Sequence, residues 1–182
     1  MDKKSILVIT YGHFEKQCLE DIITDAEIEF SLPVHVEENH SDLNEYYEPT
    51  RRQYDGNKLL KLVDSSSSPA FAKGIGLFRV DLFIPILTYV FGQAYFNGFA
   101  GIASLYRLKN EQYGMKKDND LMLTRFRKVI IHELGHTFGL IHCYVPNCVM
   151  RSSTYVEDID QKKHNLCPLC KAQIEKNMNS WK

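Results

Sequence analysis

Three histidines and one glutamate lie within the eleven residues from 132 to 142. His132 and His136 are four residues apart, so on a helix both rings project from the same face, one turn apart. A zinc ion can take one nitrogen from each ring, while Glu133 lies beside the metal and can accept a proton from water. Gly139 can end the helix at positive φ, which would allow the chain to turn and bring His142 in as a third ligand. Three protein ligands leave one position open, which is typical of a catalytic zinc.

The same segment also has the pattern of an ordinary buried helix, which is the alternative explanation. Apolar residues recur at helical spacing and predict a core-facing stripe: Phe126, Ile130, Leu134, Phe138 and Ile141. This stripe leaves His132 and His136 on another flank, so packing does not account for them and we favour the metal site. His35 and His40 have no partner at metal-ligand spacing, and we expect them at the surface.

Cysteines form a second group directly after the histidines. Five cysteines occur in the chain, and four of them form two pairs: Cys143 with Cys148, and Cys167 with Cys170. Two pairs at this spacing predict a tetrahedral structural zinc site, and therefore two zinc ions per chain. The alternatives are two disulfides or unpaired buried thiols, and a reducing compartment disfavours the disulfides. Because Cys143 follows His142 directly, a metal on Cys143 would also fix the backbone that delivers the third histidine.

Length and charge limit the classes of protein that the chain can represent. We expect one domain at residues 1–182, with an N-terminal subdomain at 1–142 and a C-terminal subdomain at 143–182. Basic and acidic residues number 22 and 23, and the net charge of −1 gives no basic surface that would favour nucleic acid. Met1–Thr10 has an apolar run of only four residues, too short for a secretory signal, which favours the cytoplasm. The uncharged segment Leu82–Tyr106 is interrupted by proline and glycines, which favours buried strands over a membrane span.

Short apolar runs alternate with helical patterns along the chain. Strands or extended segments are predicted at Ser5–Thr10, Leu32–Val36, Phe71–Val80, Leu82–Ile86, Thr88–Ala94 and Ile102–Tyr106. Helices are predicted at His13–Glu29 and at Arg51–Val63. A third, long helix carries the first two histidines, with Asn119 or Asp120 as its expected N-cap. This alternation predicts an α/β fold in which a mixed, mostly parallel sheet packs on helices.

One compound pattern joins the histidines, the cysteines and a methionine. It reads His132-Glu-x-x-His136-x-x-Gly139-x-x-His142-Cys143-x4-Cys148-x-Met150, followed by Cys167-x2-Cys170. This pattern resembles that of the archaemetzincins, a branch of the metzincin zinc metalloproteases. Weaker similarity extends over most of the chain from about residue 50, in four segments: Arg52–Tyr54, Asp81–Phe83, Val90–Ala94 and Ser104–Leu108.

The resemblance implies a metzincin-like fold with a small, zinc-stapled C-terminal subdomain and a substrate cleft across the catalytic zinc. It also implies roles for the residues of the motif: His132, His136 and His142 as catalytic zinc ligands, Glu133 as general base, and Met150 as the Met-turn beneath the zinc. Two positions depart from related proteins. Val129 stands where relatives often have glutamate, and Ser152 is not the tyrosine that serves as an extra zinc ligand in some other metzincins.

We therefore predict a zinc metallopeptidase in which Glu133 takes a proton from zinc-activated water during peptide-bond hydrolysis. The expected partner is a peptide or protein substrate, and we expect a monomer with no nucleic-acid or membrane partner. Fold analogy places the walls of the cleft at Thr88–Ala94 and Arg151–Tyr155. One alternative is a zinc-binding interaction protein with little or no turnover. A secreted, disulfide-bonded protease is a further alternative, which the missing signal disfavours.

Overall fold

Residues 4–179 form a mixed α/β structure in the computed structural model of the chain. The α-helices are α1 (Lys16–Phe30), α2 (Gly56–Asp64), α3 (Asn119–Thr137), α4 (Val156–Asp160) and α5 (Pro168–Asn179). The strands are β1 (Ser5–Tyr11), β2 (Val34–Asn39), β3 (Tyr47–Glu48), β4 (Gln53–Asp55), β5 (Phe71–Phe78), β6 (Leu82–Ile84), β7 (Leu87–Val90), β8 (Gly92–Ala94) and β9 (Ala100–Ser104). No helix within this part of the chain has both the length and the apolar character needed to cross a membrane.

A five-stranded sheet with the order β2-β1-β5-β9-β8 forms the centre of the fold. Its first four strands run parallel, and β8 pairs antiparallel with β9 at one edge. The side chains of β1 show why both faces are buried. Ile6 and Val8 join the core formed with α1 and α3, whereas Leu7 and Ile9 join the core formed with α2. The predicted mixed, mostly parallel sheet packed on helices is therefore confirmed.

A smaller four-stranded sheet has the order β3-β4-β6-β7. β7 pairs antiparallel with β6 in this sheet, whereas β8 belongs to the large sheet, and the chain passes from one to the other at Phe91. The prediction of a single strand at Thr88–Ala94 is therefore wrong. Extended residues change their hydrogen-bonding partner here, and the apolar pattern of the sequence carries no sign of such a change.

The second helix begins five residues later than the predicted segment Arg51–Val63, at Gly56. The preceding residues form β4 instead. Asp55 ends the strand and caps the helix, because its carboxylate accepts hydrogen bonds from the backbone N–H groups of Asn57 at 2.9 Å and Lys58 at 3.3 Å. Tyr54, the one apolar residue between Arg51 and the cap, lies in β4 and not in the helix.

The long helix α3 crosses the large sheet and contacts β9, β8 and β5. Its N-cap is Asp118, whose carboxylate accepts a hydrogen bond from the N–H of Leu121 at 2.9 Å. The predicted cap, Asn119 or Asp120, is therefore wrong by one or two residues. Both of those residues already lie within the helix, where their side chains cannot close its first turn in this way.

The apolar stripe of α3 is buried as predicted, except at its last member. Phe126, Ile130, Leu134 and Phe138 are fully buried in the core. Ile141 is 71% exposed, so its assignment to the core face is wrong. The helix ends at Thr137, and Ile141 lies after the turn, where helical spacing no longer decides which way a side chain faces.

Two helices that the sequence pattern did not predict, α4 and α5, follow Met150. They join the main core through Val156, Ile159 and Ile174. Glu29 of α1 also reaches this region. Its buried carboxylate accepts a hydrogen bond from the N–H of Leu166 at 3.0 Å, directly before the second cysteine pair.

Candidate metal centres and active-site cleft

The side chains of His132, His136 and His142 converge on one point. Each offers one ring nitrogen, and these three atoms lie within 4.8 Å of one another. His132 and His136 project from one face of α3, with their Nε2 atoms 3.1 Å apart. The ring centroid of His142 lies 5.3 Å from that of His132 and 5.0 Å from that of His136. The structure thus brings together all three histidines that the motif singled out.

A tight turn after α3 returns the chain so that His142 reaches the other two rings. Gly139 has a φ of +84°, in the left-handed region that favours glycine. The N–H groups of Gly139 and Leu140 bond the carbonyls of His136 at 3.0 Å and Gly135 at 2.9 Å. These bonds complete the helix end, and the predicted role of Gly139 as a stop signal is confirmed.

Hydrogen bonds to the inner ring nitrogens define the protonation of two histidines. Nδ1 of His132 lies 2.8 Å from the carbonyl oxygen of Val149, and Nδ1 of His136 lies 2.8 Å from that of Leu140. A carbonyl oxygen only accepts, so each Nδ1 must carry the proton and each neutral ring presents a lone pair at Nε2. Two lone pairs that face each other at 3.1 Å repel unless a cation lies between them. The donor set therefore fits a metal ion.

Burial favours the neutral form of these rings, which is the form that binds a metal. It lowers the pKa of His132 well below the usual 6.5 and also lowers the pKa values of His136 and His142. The positive charge of Lys162 acts in the same direction on all three. Protons therefore compete weakly with a metal ion at this site.

Glu133 lies in the cleft next to the two helical histidines, and its side chain is buried. It packs against β8 at Gly92, where an added Cβ atom would lie only 2.7 Å from Cγ of Glu133. An added Cβ atom would also lie 2.6 Å from the backbone oxygen of Ile102, so both the neighbouring strand and the Glu133 side chain require glycine there. Burial raises the pKa of Glu133 to about 8, although the charge of Lys162 opposes the shift. Such a carboxylate can take up and release a proton near neutral pH.

Met150 lies in a buried turn beneath α3. Its Cε would lie 3.0 Å from a Cβ atom added at Gly135, which is in the helix between the two histidines. Within the turn, the N–H of Arg151 donates to the carbonyl of Cys148 at 3.1 Å. The carbonyl of Met150 accepts from the N–H of Cys143 at 2.9 Å, so the turn is tied to the residue after the third histidine.

The four cysteines of the second motif also form one cluster, with their sulfur atoms within 4.8 Å of one another. Sγ of Cys143 lies 3.8 Å from that of Cys167, and Sγ of Cys148 lies 3.7 Å from that of Cys170. Tetrahedral zinc, with Zn–S bonds of about 2.3 Å, separates its sulfurs by about 3.8 Å. A disulfide needs a separation of about 2.0 Å. The cluster therefore fits zinc, and the disulfide alternative does not hold in this structure.

A cleft of about 540 Å³ opens over the histidines. One wall consists of residues 87–94 and the other of residues 152–155, close to the walls expected from the sequence. Arg151, expected in the second wall, does not line the cleft and has an exposed side chain. Val129 and Ile159 add apolar surface to the lining. His35 and His40 are exposed, as expected.

Lys162 is the charged residue of the cleft that the sequence analysis did not identify. It is only 5% exposed, and its ammonium group donates to the carbonyls of Val149 at 3.0 Å and Arg151 at 2.5 Å. Burial lowers its pKa to about 8, while the charge of Glu133 raises it. The surrounding segment 157–163 is rich in charged residues, where a lysine is ordinarily solvated. No spacing in one sequence distinguishes this lysine from its exposed neighbours.

Comparison with known proteins gives the class of this fold and site. The model of Peptidase family M54 matches residues 13–176. The archaemetzincin of Saccharolobus solfataricus is 35% identical over 181 residues, which cover 97% of this chain and 96% of that protein.

Solved structures agree with this assignment. The crystal structure of archaemetzincin from Methanopyrus kandleri superposes with a TM-score of 0.83 at 29% identity, covering 97% of this chain and 96% of that one. A zinc-dependent peptidase from Methanocorpusculum labreanum gives a TM-score of 0.80 at 26% identity, covering 93% of this chain and 100% of that one. A fold and clusters of this kind define a zinc metallopeptidase. The chain belongs to peptidase family M54, the family of the archaemetzincins, as its sequence pattern predicted.

Proposed function

We propose that the chain hydrolyses peptide bonds at the histidine cluster, where His132, His136 and His142 hold one zinc ion and Glu133 is the general base. The observation that carries this proposal is the convergence of three ring nitrogens beside a buried carboxylate, at the floor of an open cleft. When bound, zinc lowers the pKa of water to about 7 and polarises a carbonyl group as a Lewis acid.

Glu133 carries the proton in this proposal. It takes a proton from the attacking water and passes it to the amine that leaves, because a peptide nitrogen departs readily only after protonation. The raised pKa of about 8 supports both halves of this task near neutral pH. Contact with β8 at Gly92 restricts where the carboxylate can move and so keeps it directed at the cleft.

The cysteine cluster holds a second zinc ion in this proposal, which gives two per chain. Sulfur separations of 3.7 and 3.8 Å support this assignment. Four thiolates saturate a tetrahedral metal and leave no position for water, so this ion has a structural role. The two ions are coupled through the backbone, because Cys143 follows His142 directly and also bonds the carbonyl of Met150.

A peptide substrate would lie extended across the cleft in this proposal. β8 is the edge strand of the large sheet and lines the cleft, so its outer backbone groups can pair with an extended peptide. Residues 152–155 form the opposite wall, and Leu87 and Tyr155, which are 49% and 64% exposed, offer apolar surface to substrate side chains.

The non-bonded sulfurs support a reducing location such as the cytoplasm, where thiolates persist as zinc ligands. Counting thiols in denaturant after zinc removal tests this proposal, with all five cysteines expected to react. A count near one would instead indicate two disulfides. The expected monomer is tested by light scattering of the zinc-loaded protein.

The proposed hydrolysis is tested with Glu133→Ala and Glu133→Gln on a random peptide pool. Both variants should keep the histidine-site zinc and lose activity by roughly 10²- to 10⁴-fold, the range for removal of a general base. Glu37→Gln provides the matched control, since Glu37 is exposed on β2 at the opposite edge of the sheet from β8. Activity should also disappear with a chelator and return with zinc.

Two results would contradict this proposal. If a Glu133 variant cleaves as fast as the wild type, Glu133 is not the base. If the wild type binds zinc and yet cleaves no peptide in the pool, the chain is instead a zinc-binding interaction protein with an archaemetzincin fold.

A further inference from the structure

Lys162 holds the backbone on both sides of Met150. Its Nζ donates one hydrogen bond to the carbonyl of Val149 at 3.0 Å and another to that of Arg151 at 2.5 Å. These are the residues directly before and after Met150, so one ammonium group fixes both arms of the turn beneath α3. A buried ammonium is unfavourable unless acceptors surround it, and the turn supplies two.

The carbonyl of Val149 has a second donor, which connects Lys162 to the histidine cluster. Nδ1 of His132 lies 2.8 Å from the same oxygen. A carbonyl oxygen has two lone pairs, and here the imidazole uses one and the ammonium the other. The orientation of the His132 ring therefore depends on an oxygen whose position Lys162 helps to set.

We propose that Lys162 is a positioning residue for the catalytic metal: its ammonium group holds the Val149 carbonyl in the place that directs Nε2 of His132 to the zinc ion. This inference rests on the proposed role of the three histidines and assigns their support to one buried side chain. Partners of metal-bound histidines at their second nitrogen commonly change metal affinity by about 10- to 100-fold. Lys162 is one hydrogen bond further from the metal and acts through such a partner, the carbonyl of Val149.

The chain offers a matched control for this role. Lys128 of α3 is also a buried lysine, 7% exposed, and its Nζ also donates to backbone carbonyls, those of Ile159 at 2.9 Å and Asp160 at 3.4 Å. Both lysines hold backbone near α4, but the hydrogen bonds of Lys128 do not reach the Met150 turn. Loss of either ammonium should lower stability, whereas only the loss of Lys162 should release the histidine-site zinc.

The test uses the full chain loaded with zinc and measures the dissociation constant of the zinc ion at the histidine site by competition with a chelator. Lys162→Met is expected to raise this dissociation constant by about 10-fold. Lys162→Arg keeps the charge and the N–H donors, and it should recover part of the affinity. Lys128→Met should stay within about 2-fold of the wild type, and urea unfolding should show that both methionine variants lose stability.

Wild-type zinc affinity in Lys162→Met would overturn the proposal, as would equal weakening in Lys128→Met or no recovery in Lys162→Arg. If Lys162→Met does not fold, Lys162→Leu replaces it under the same criteria, because leucine also removes the ammonium group and its hydrogen-bond donors. The zinc measurement needs no substrate. A wild type that cleaves no peptide would therefore refute the proposed hydrolysis without deciding the role of Lys162.

Discussion

The inner nitrogens of His132 and His136 are both engaged by backbone carbonyls, and this determines what their outer nitrogens can do. Val149 belongs to the turn at Met150 and Leu140 to the turn after α3, so each ring is oriented by a different loop. The tautomer that a metal needs is therefore established by the protein itself. Only His142 approaches the site from outside the helix, and it is also the most exposed of the three.

Acid should destabilise the protein when the histidine site contains no metal. Burial holds the pKa values of the three histidines below 6.5, so in acid the unfolded chain binds more protons than the folded chain. The histidines should therefore lower the free energy of unfolding as pH drops below about 6.5, by up to about 1.4 kcal/mol per pH unit each for His132 and His136 and by less for the exposed His142. Glu133, whose pKa is raised to about 8, contributes one slope of the opposite sign, so the net fall is that of the histidines less this term. Urea unfolding at a series of pH values measures this slope.

His132→Asn provides the control for that slope. Asparagine can still donate a hydrogen bond towards Val149 but does not titrate, so the variant should lose the part of the slope that belongs to His132. Identical slopes in the variant and the wild type would show that other groups cause the acid sensitivity.

At the scale of helices and strands, features set by residues close in sequence were predictable. A change in the strand with which an extended segment pairs was not. The spacing of His132 and His136 predicted their common helix face because helical geometry is local. The division of the extended segment at Phe91 depends on pairing with β6 on one side and β9 on the other, which are distant in sequence. Asp118 was missed as a cap because three neighbouring polar residues offered the same chemistry.

The N-cap of α3 gives a direct test at this scale. Asp118→Ala should lower the free energy of unfolding by about 1 kcal/mol, because the N–H of Leu121 loses its acceptor. Asp120→Ala should have less than half of this effect, since Asp120 only interacts with the helix dipole from within the first turn. Urea unfolding of both variants measures the difference. An equal loss in the two would mean that charge, and not the capping bond, stabilises this end.

At the scale of the whole molecule, one core connects the two proposed subdomains at 1–142 and 143–182. Phe126 and Phe138 from the first part and Met150 and Ile174 from the second belong to the same buried cluster. We therefore expect the C-terminal part to fold on the sheet and helices and not on its own. The cysteine cluster then acts as a clamp on this shared core.

Removal of the cysteine clamp should affect both metal centres. Cys167→Ser with Cys170→Ser should reduce the zinc content from two ions to one per chain and weaken the binding of the remaining ion, because no metal then anchors Cys143, the residue after His142. Metal analysis and chelator competition measure the two effects. Cys18→Ser should change neither the zinc content nor the zinc affinity, since Cys18 lies in α1 and is not part of the cluster. A single zinc ion in the wild type would refute the two-ion proposal.

The residues of the candidate site fall into those that the sequence motif predicted and one, Lys162, that only the folded structure brings there. The histidines, Glu133, Met150 and the cysteines all belong to one compound sequence pattern, so their grouping was predictable. Lys162 reaches the site only because the chain returns to the Met150 turn after α4. The residues that Lys162 contacts, Val149 and Arg151, are more than ten residues away in sequence, and nothing in the sequence around a single lysine indicates that it is buried.

Because the chain changes sheets at Phe91, one wall of the cleft is built from strands of two different sheets. β8, with Gly92 against Glu133, is anchored in the same sheet on which the helix of the first two histidines rests. β7 lines the same wall but is paired to the small sheet, and its first two residues are exposed. Under the proposed function, substitutions in β7 can therefore change the shape of the substrate-binding wall without disturbing the strand pairing that holds β8 beside Glu133.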